Sequence, residues 1–168
     1  MASTLPTDTT IEDRPDIAGV IAPPPLIYAA AFGAGLLLDR LASFPSLRIP
    51  GLRVVGAGMV LGGLSLSGWA FWTMEKAGTP VFPTEPTTAL VTEGPFRYTR
   101  NPGYLGMAIA SKGLAFWLGR IGPLLLLPLA VAVMQWGVIE REERYLDRKF
   151  GTAYQAYRAA VPRWLWLM

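Results

Sequence analysis

Val54-Val55-Gly56-Ala57-Gly58-Met59-Val60-Leu61-Gly62-Gly63-Leu64-Ser65-Leu66-Ser67-Gly68-Trp69-Ala70-Phe71-Trp72-Thr73-Met74 contains no charged residue. At 1.5 Å of rise per residue an uninterrupted helix over this run is long enough to cross the hydrocarbon core of a bilayer. Its Gly58-Met59-Val60-Leu61-Gly62 segment is a small-xxx-small pattern, which lets a second helix of the same chain come close. Trp69 and Trp72 near its end suit an interfacial aromatic belt.

Apolar runs continue on both sides of this segment. Toward the N-terminus, Pro23-Pro24-Pro25 opens an uncharged stretch, Leu26 to Leu38, that ends in Asp39-Arg40-Leu41-Ala42. Residues 1–16 are polar and carry no secretory signal pattern, so they read as a flexible polar tail. Toward the C-terminus, Tyr104 to Leu118 is apolar except for Lys112, Gly119-Arg120-Ile121-Gly122-Pro123 reads as a tight turn, and Ile121 to Ile139 is uncharged and Leu-rich. The spacing predicts spans at about residues 24–42, 54–74, 104–118 and 121–139, the last two as an antiparallel hairpin. Lys112 must snorkel, face a wet cavity or, the preferred reading, pair with a carboxylate such as Asp39.

Glu140 to Val161 is abruptly polar, with Ile139, Leu146, Phe150, Tyr154, Tyr157 and Val161 on one face of an amphipathic helix that Gly151 can break. Pro162-Arg163-Trp164-Leu165-Trp166 reads as an interfacial anchor. The expected fold is therefore an all-α integral membrane protein, a single domain over residues 17–168 with about four spans and a C-terminal amphipathic helix. Composition agrees, since 52% apolar residues is high for a soluble domain of 168 residues. Ten Lys or Arg residues fall on the side of the termini and the 75–103 loop against four on the other, which puts the termini and that loop in the cytoplasm.

Cys and His are both absent, which excludes thiolate chemistry, imidazole general bases and the commonest zinc ligands, and no metal is expected. Basic residues are scattered among apolar runs, a poor footprint for nucleic acid. A long proline-rich connection, 75–103, closes in Gly94-Pro95-Phe96-Arg97-Tyr98-Thr99-Arg100-Asn101-Pro102-Gly103-Tyr104, and connections of this length are commonly functional. A helical hairpin returns the chain to the level at which it started, so Tyr104 and Glu140 become neighbours. Arginines, an amide, tyrosine hydroxyls and the Glu142-Glu143 pair then surround one cavity suited to a zwitterionic ligand.

The loop residues 94–106, followed after the hairpin by Glu142-Glu143, Leu146, Phe150-Gly151, Tyr154, Tyr157 and Val161-Pro162, resemble the isoprenylcysteine carboxyl methyltransferase family, within the wider group that includes phospholipid methyltransferases. The resemblance covers residues 78–163. It implies an S-adenosylmethionine-dependent enzyme that works at the cytoplasmic face on a lipophilic small molecule or lipid. On that resemblance Arg97, Tyr98, Arg100, Asn101, Pro102, Tyr104, Glu143, Tyr154 and Tyr157 would bind the cofactor, and Glu142, Glu143 and Arg163 would serve catalysis. Many relatives carry His where this chain has Asn101, so proton shuttling at that position is not available here. The lack of His leans toward a carboxylate acceptor, as in a prenylcysteine-like substrate, because a carboxylate needs no base. A phospholipid amine, a nicotinamide-dependent membrane reductase and a non-catalytic scaffold stay open as alternatives, as does the oligomeric state.

Overall fold

Proline opens the first helix and a left-handed residue closes it. In the computed structural model, which describes residues 16–83 and 85–165, α1 runs Pro24–Ala42 with proline in its first turn, where the missing N–H has no helical partner to lose. Ser43 at φ 50° ends it. The chain continues through α2 (Leu52–Lys76), a 3₁₀ turn at Gly94–Arg97, α3 (Pro102–Leu118) and α4 (Gly122–Met134). A π-helical turn at Gln135–Ile139 joins α4 without a break to α5 (Glu140–Phe150), and α6 (Thr152–Ala160) follows. Gly151 at φ 52° separates the last two, at the break that the sequence suggested. The described residues contain no strand, and the expected tail falls mostly outside them.

Among the described residues three helices are long and apolar enough to cross a membrane: α1, α2 and the continuous Gly122–Phe150 segment. At 17 residues, α3 is shorter than these. Side chains that a soluble protein would cover are bare, with Val54 77%, Leu61 68% and Trp136 66% exposed. Acyl chains are a suitable solvent for such a surface.

Glycine decides which helices touch. A Cβ on Gly56 would stand 2.5 Å from the Trp117 amide nitrogen, and one on Gly63 2.5 Å from the Gly106 carbonyl oxygen. The backbones of α2 and α3 thus run against each other, antiparallel, with Ser67 Oγ donating to the Gly103 carbonyl at 2.9 Å. The expected stripe, Gly58 and Gly62, lies elsewhere: neither has anything within 4 Å of where a Cβ would be. Likewise α1 packs antiparallel on α4 through Gly35, Gly122 and Pro123, and through the buried cluster of Tyr28, Ala130, Met134 and Val138. The α3–α4 pair, expected as the hairpin, packs less than either helix does against its other partner. The reason is local, since the close-approach glycines of α3 and α4 face α2 and α1.

Lys112 does not pair with Asp39. Its ammonium lies on the outer surface, 5.8 Å from the centre of the Phe116 ring, where a long side chain can reach toward the interface. Asp39 is buried and caps α4 from α1, accepting the Gly122 N–H at 2.7 Å.

Candidate functional site

At the end of the bundle where α2 finishes and α3 begins, the 77–101 connection folds over the helices instead of extending into solvent. Gly78 at φ 70° turns the chain, Thr88 Oγ1 donates to the Gly78 carbonyl at 2.6 Å, and Thr79 Oγ1 accepts the Thr88 N–H at 3.0 Å. Pro95, fully buried in the 3₁₀ turn, carries the chain to Asn101, and Pro102 starts α3. The connection encloses a cavity of about 130 Å³ against α2, α3, α5 and α6.

One wall is apolar, with Phe71 and Met74 from α2 and Val81, Leu90 and Val91 from the connection. The other is polar. Two adjacent residues of α5 point to two different partners, as a rotation of about 100° per residue requires. Glu142 Oε1 accepts the Tyr104 hydroxyl at 2.5 Å. Glu143 accepts Arg100 Nη2 at 2.9 Å and is gripped by Arg163, Nε at 2.8 Å and Nη2 at 2.6 Å. Glu143 is 8% exposed, so these are charge-assisted bonds in a dry setting. Donating to Glu143 holds the Arg163 guanidinium charged more firmly than usual. Arg100 also donates to the Arg158 carbonyl at 3.2 Å, while its Nε–H is buried without a partner.

The π-helical turn at Gln135–Ile139 is part of this geometry. An additional residue in a turn changes the phase of everything after it, and such turns recur at functional sites. Here it precedes Glu142 and Glu143 by less than one further turn, and the Gly137 carbonyl accepts the Ile21 N–H from outside the helix at 3.2 Å. The segment before α1 is tied down beside it: Arg141 donates to the Gly19 carbonyl at 2.8 Å, and Lys149 bonds the Asp16 carboxylate at 2.6 Å, lowering the Asp16 pKa.

After Gly151, α6 folds back and seats Tyr154, 1% exposed, in the wall; burial pushes its hydroxyl up to about 12. Tyr157 donates to the Phe96 carbonyl at 2.8 Å, and burial raises its pKa as well. The C-terminal segment returns to the connection, with the Arg163 carbonyl accepting Thr99 Oγ1 and Asn101 Nδ2, both at 2.9 Å. Arg100 N–H reaches the Pro162 carbonyl at 2.9 Å. Pro162 to Trp164 is thus a latch that ties the C-terminal segment to the connection, where the sequence suggested an interfacial anchor; Trp166 lies outside the described residues.

Of the residues singled out from sequence, Arg100, Asn101, Pro102, Tyr104, Glu142, Glu143, Tyr154 and Tyr157 border this one cavity. Arg97 and Tyr98 do not. They are exposed, because the 3₁₀ turn buries Pro95 and sends the next two side chains outward. Arg163 stands behind Glu143, bonded to it, and does not border this cavity. Sequence reasoning passed over Tyr145, whose hydroxyl accepts the Thr87 N–H at 3.0 Å and donates to Asp16 Oδ1 at 3.0 Å. Its place three residues after Glu142, on the same helix face, was the available signal. Thr79, Val81 and Leu90 carried no such signal, since they come from irregular backbone.

An all-helical bundle with bare apolar flanks defines an integral membrane protein, and a cavity of mixed charge stands at one end of it. The chain belongs to the phospholipid methyltransferase family, which residues 52–153 match. It is similar to the Schizosaccharomyces pombe protein-S-isoprenylcysteine O-methyltransferase, 38% identical over 73 residues, which are 44% of this chain and 31% of that enzyme. An uncharacterized protein of Haemophilus influenzae is 36% identical over 62 residues, 37% of this chain and 98% of that protein. The chain thus spans about a third of the length of the fission yeast enzyme. No solved structure matches it.

Proposed function

We propose that the protein is a membrane methyltransferase that takes a methyl group from S-adenosylmethionine and transfers it to a lipophilic acceptor, a prenylcysteine-like carboxylate. The observation that carries this reading is the meeting of Glu142 and Glu143 with Tyr104 and Arg100 across one partly apolar cavity. Family membership and the similarity to the fission yeast methyltransferase support it.

The residues present fit the donor. An amino acid end carries both signs, and the cavity wall carries both, a carboxylate on Glu142 and the guanidinium of Arg100, whose buried Nε–H has no partner among the described residues. Phe71, Met74 and Leu90 supply surface for a flat heterocycle. When bound, S-adenosylmethionine supplies a methyl group on a sulfonium whose leaving group is already activated. The chain has to align, desolvate and hold. Arg100 and Glu142 would orient the polar end, Tyr154 and Tyr157 would exclude water, and Arg163 would position Glu143 rather than touch a reactant. A carboxylate acceptor arrives ionised, so no side chain has to remove a proton, which suits a chain without His.

Four spans, with α3 as the short one, would set this cavity and both termini on the cytoplasmic side by the distribution of Lys and Arg. The test is incubation with methyl-labelled S-adenosylmethionine, prenylcysteine analogues and lipid extracts. Label in a base-labile methyl ester is expected. Label in the phospholipid fraction would replace the carboxylate with an amine, and no transfer to any fraction would overturn the reading.

A further inference from the structure

The far end of the bundle, remote from the cavity, is built from the last turn of α1, the 43–51 loop, the first turn of α2 and the α3–α4 turn. Three contacts hold these pieces in one layer: Asp39 on the Gly122 N–H, the Leu47 N–H on the Gly119 carbonyl at 3.0 Å, and Gly56 against Trp117. Each piece contributes one arginine, namely Arg40, Arg48, Arg53 and Arg120. All four are exposed, and none takes part in a salt bridge or side-chain hydrogen bond among the described residues. The one acidic residue at this end among the described residues, Asp39, is buried and engaged with the start of α4. The cavity end is different, since Glu140, Glu143 and Asp16 there pair with Arg100, Arg163 and Lys149.

Bare apolar side chains alternate with these arginines: Leu41 is 76% exposed, Ile49 59%, Val54 77% and Trp117 50%. Guanidinium groups at the ends of apolar helices, interleaved with side chains that no protein atom covers, occupy the level where phosphates meet acyl chains. Guanidinium binds phosphate through paired N–H donors and gives up its hydration more readily than ammonium. Four such charges on one surface raise a positive potential that draws anions to it.

We propose that this end is a binding surface for anionic phospholipid headgroups of the leaflet it faces, phosphatidylglycerol being the simplest representative. The surface is independent of the methyl-transfer reading, because it shares no residue with the cavity. Full-length protein would be placed in nanodiscs of phosphatidylcholine with and without phosphatidylglycerol, and retained lipid measured by native mass spectrometry. The expected result is a preference for phosphatidylglycerol of about tenfold, as a few partly screened arginines at a surface supply. The R40Q/R48Q/R53Q/R120Q variant should lose it, and the four Arg→Lys replacements should keep most of it. A charge-matched variant at the cavity end, K76Q/R97Q/R144Q/R148Q, should retain it. If the fourfold Gln variant does not fold, R48Q/R53Q alone should reduce the preference about threefold. Equal retention of both lipids by the wild type, or undiminished preference in the Gln variants, overturns the proposal. So does displacement of the lipid by inorganic phosphate, which would mark a site for a small soluble anion.

Discussion

Replacing Glu143 by Gln removes one negative charge from between two arginines and changes almost nothing in shape. The cost follows from how dry each partner is. Arg100, whose side chain is 9% exposed, would keep only the Arg158 carbonyl at 3.2 Å, and its Nε–H is already unpartnered. Arg163, at 29%, would fall back on water and on Glu140 at 3.8 Å. Breaking a buried pair from one side costs about 3–5 kcal/mol, and the amide oxygen of Gln still accepts one bond, so a loss of about 3 kcal/mol is expected. For a domain of this size that is a fall in unfolding temperature of about 6–12 °C. Tryptophan fluorescence or far-ultraviolet circular dichroism during a thermal ramp in detergent measures it. Glu140→Gln is the internal comparison, since its pair with Arg163 is longer and a third exposed, and it should cost about 0–1 kcal/mol. Equal shifts for the two variants would contradict the picture of Glu143 as the dry centre of the site.

Three further outcomes are expected. Gly63→Ala should destabilise by about 1–3 kcal/mol, because its Cβ would meet the Gly106 carbonyl at 2.5 Å, whereas Gly58→Ala should be neutral or stabilising; thermal unfolding of both separates them. Asp39→Ala should cost about 1–2 kcal/mol through loss of the α4 cap and speed hydrogen exchange at Gly122, and Asp39→Asn, which keeps an acceptor, should cost less. Tyr154 has a raised pKa in the folded state, so its contribution to stability is full below pH 10 and is lost as pH rises toward about 12; Tyr154→Phe should flatten the alkaline unfolding curve over that window.

Much of this architecture could be read from the chain because lipid imposes simple requirements. An uncharged run such as Val54 to Met74 has few alternatives to a helix, and α2 extends only two residues beyond it at each end. Pairing was harder. Gly58 and Gly62 on one face of α2, and Gly56 and Gly63 on another, are equally good stripes by composition. The choice is made by α3, whose Gly106 and Gly113 repeat the seven-residue spacing of Gly56 and Gly63, a correspondence visible only when two helices are compared. Lys112 was misassigned because a long side chain can reach the interface without any acid. In the site, Tyr104 with Glu142 was foreseeable from the level to which the chain returns. The outward turn of Arg97 and Tyr98 and the use of Arg163 as a latch depend on backbone directions in irregular segments, and composition does not encode those.

Photo-labelling would locate the methyl donor on the chain. Methyl-labelled S-adenosylmethionine would be cross-linked to the full-length protein by ultraviolet light and the modified peptides sequenced. Label confined to peptides that contain Asn101 to Tyr104, Glu142 to Leu146 or Tyr154 to Tyr157, and chased by unlabelled S-adenosylmethionine, is the expected result. Chaseable label on the surface around Arg97 and Tyr98, at the arginine-rich end, or nowhere in the chain would contradict it.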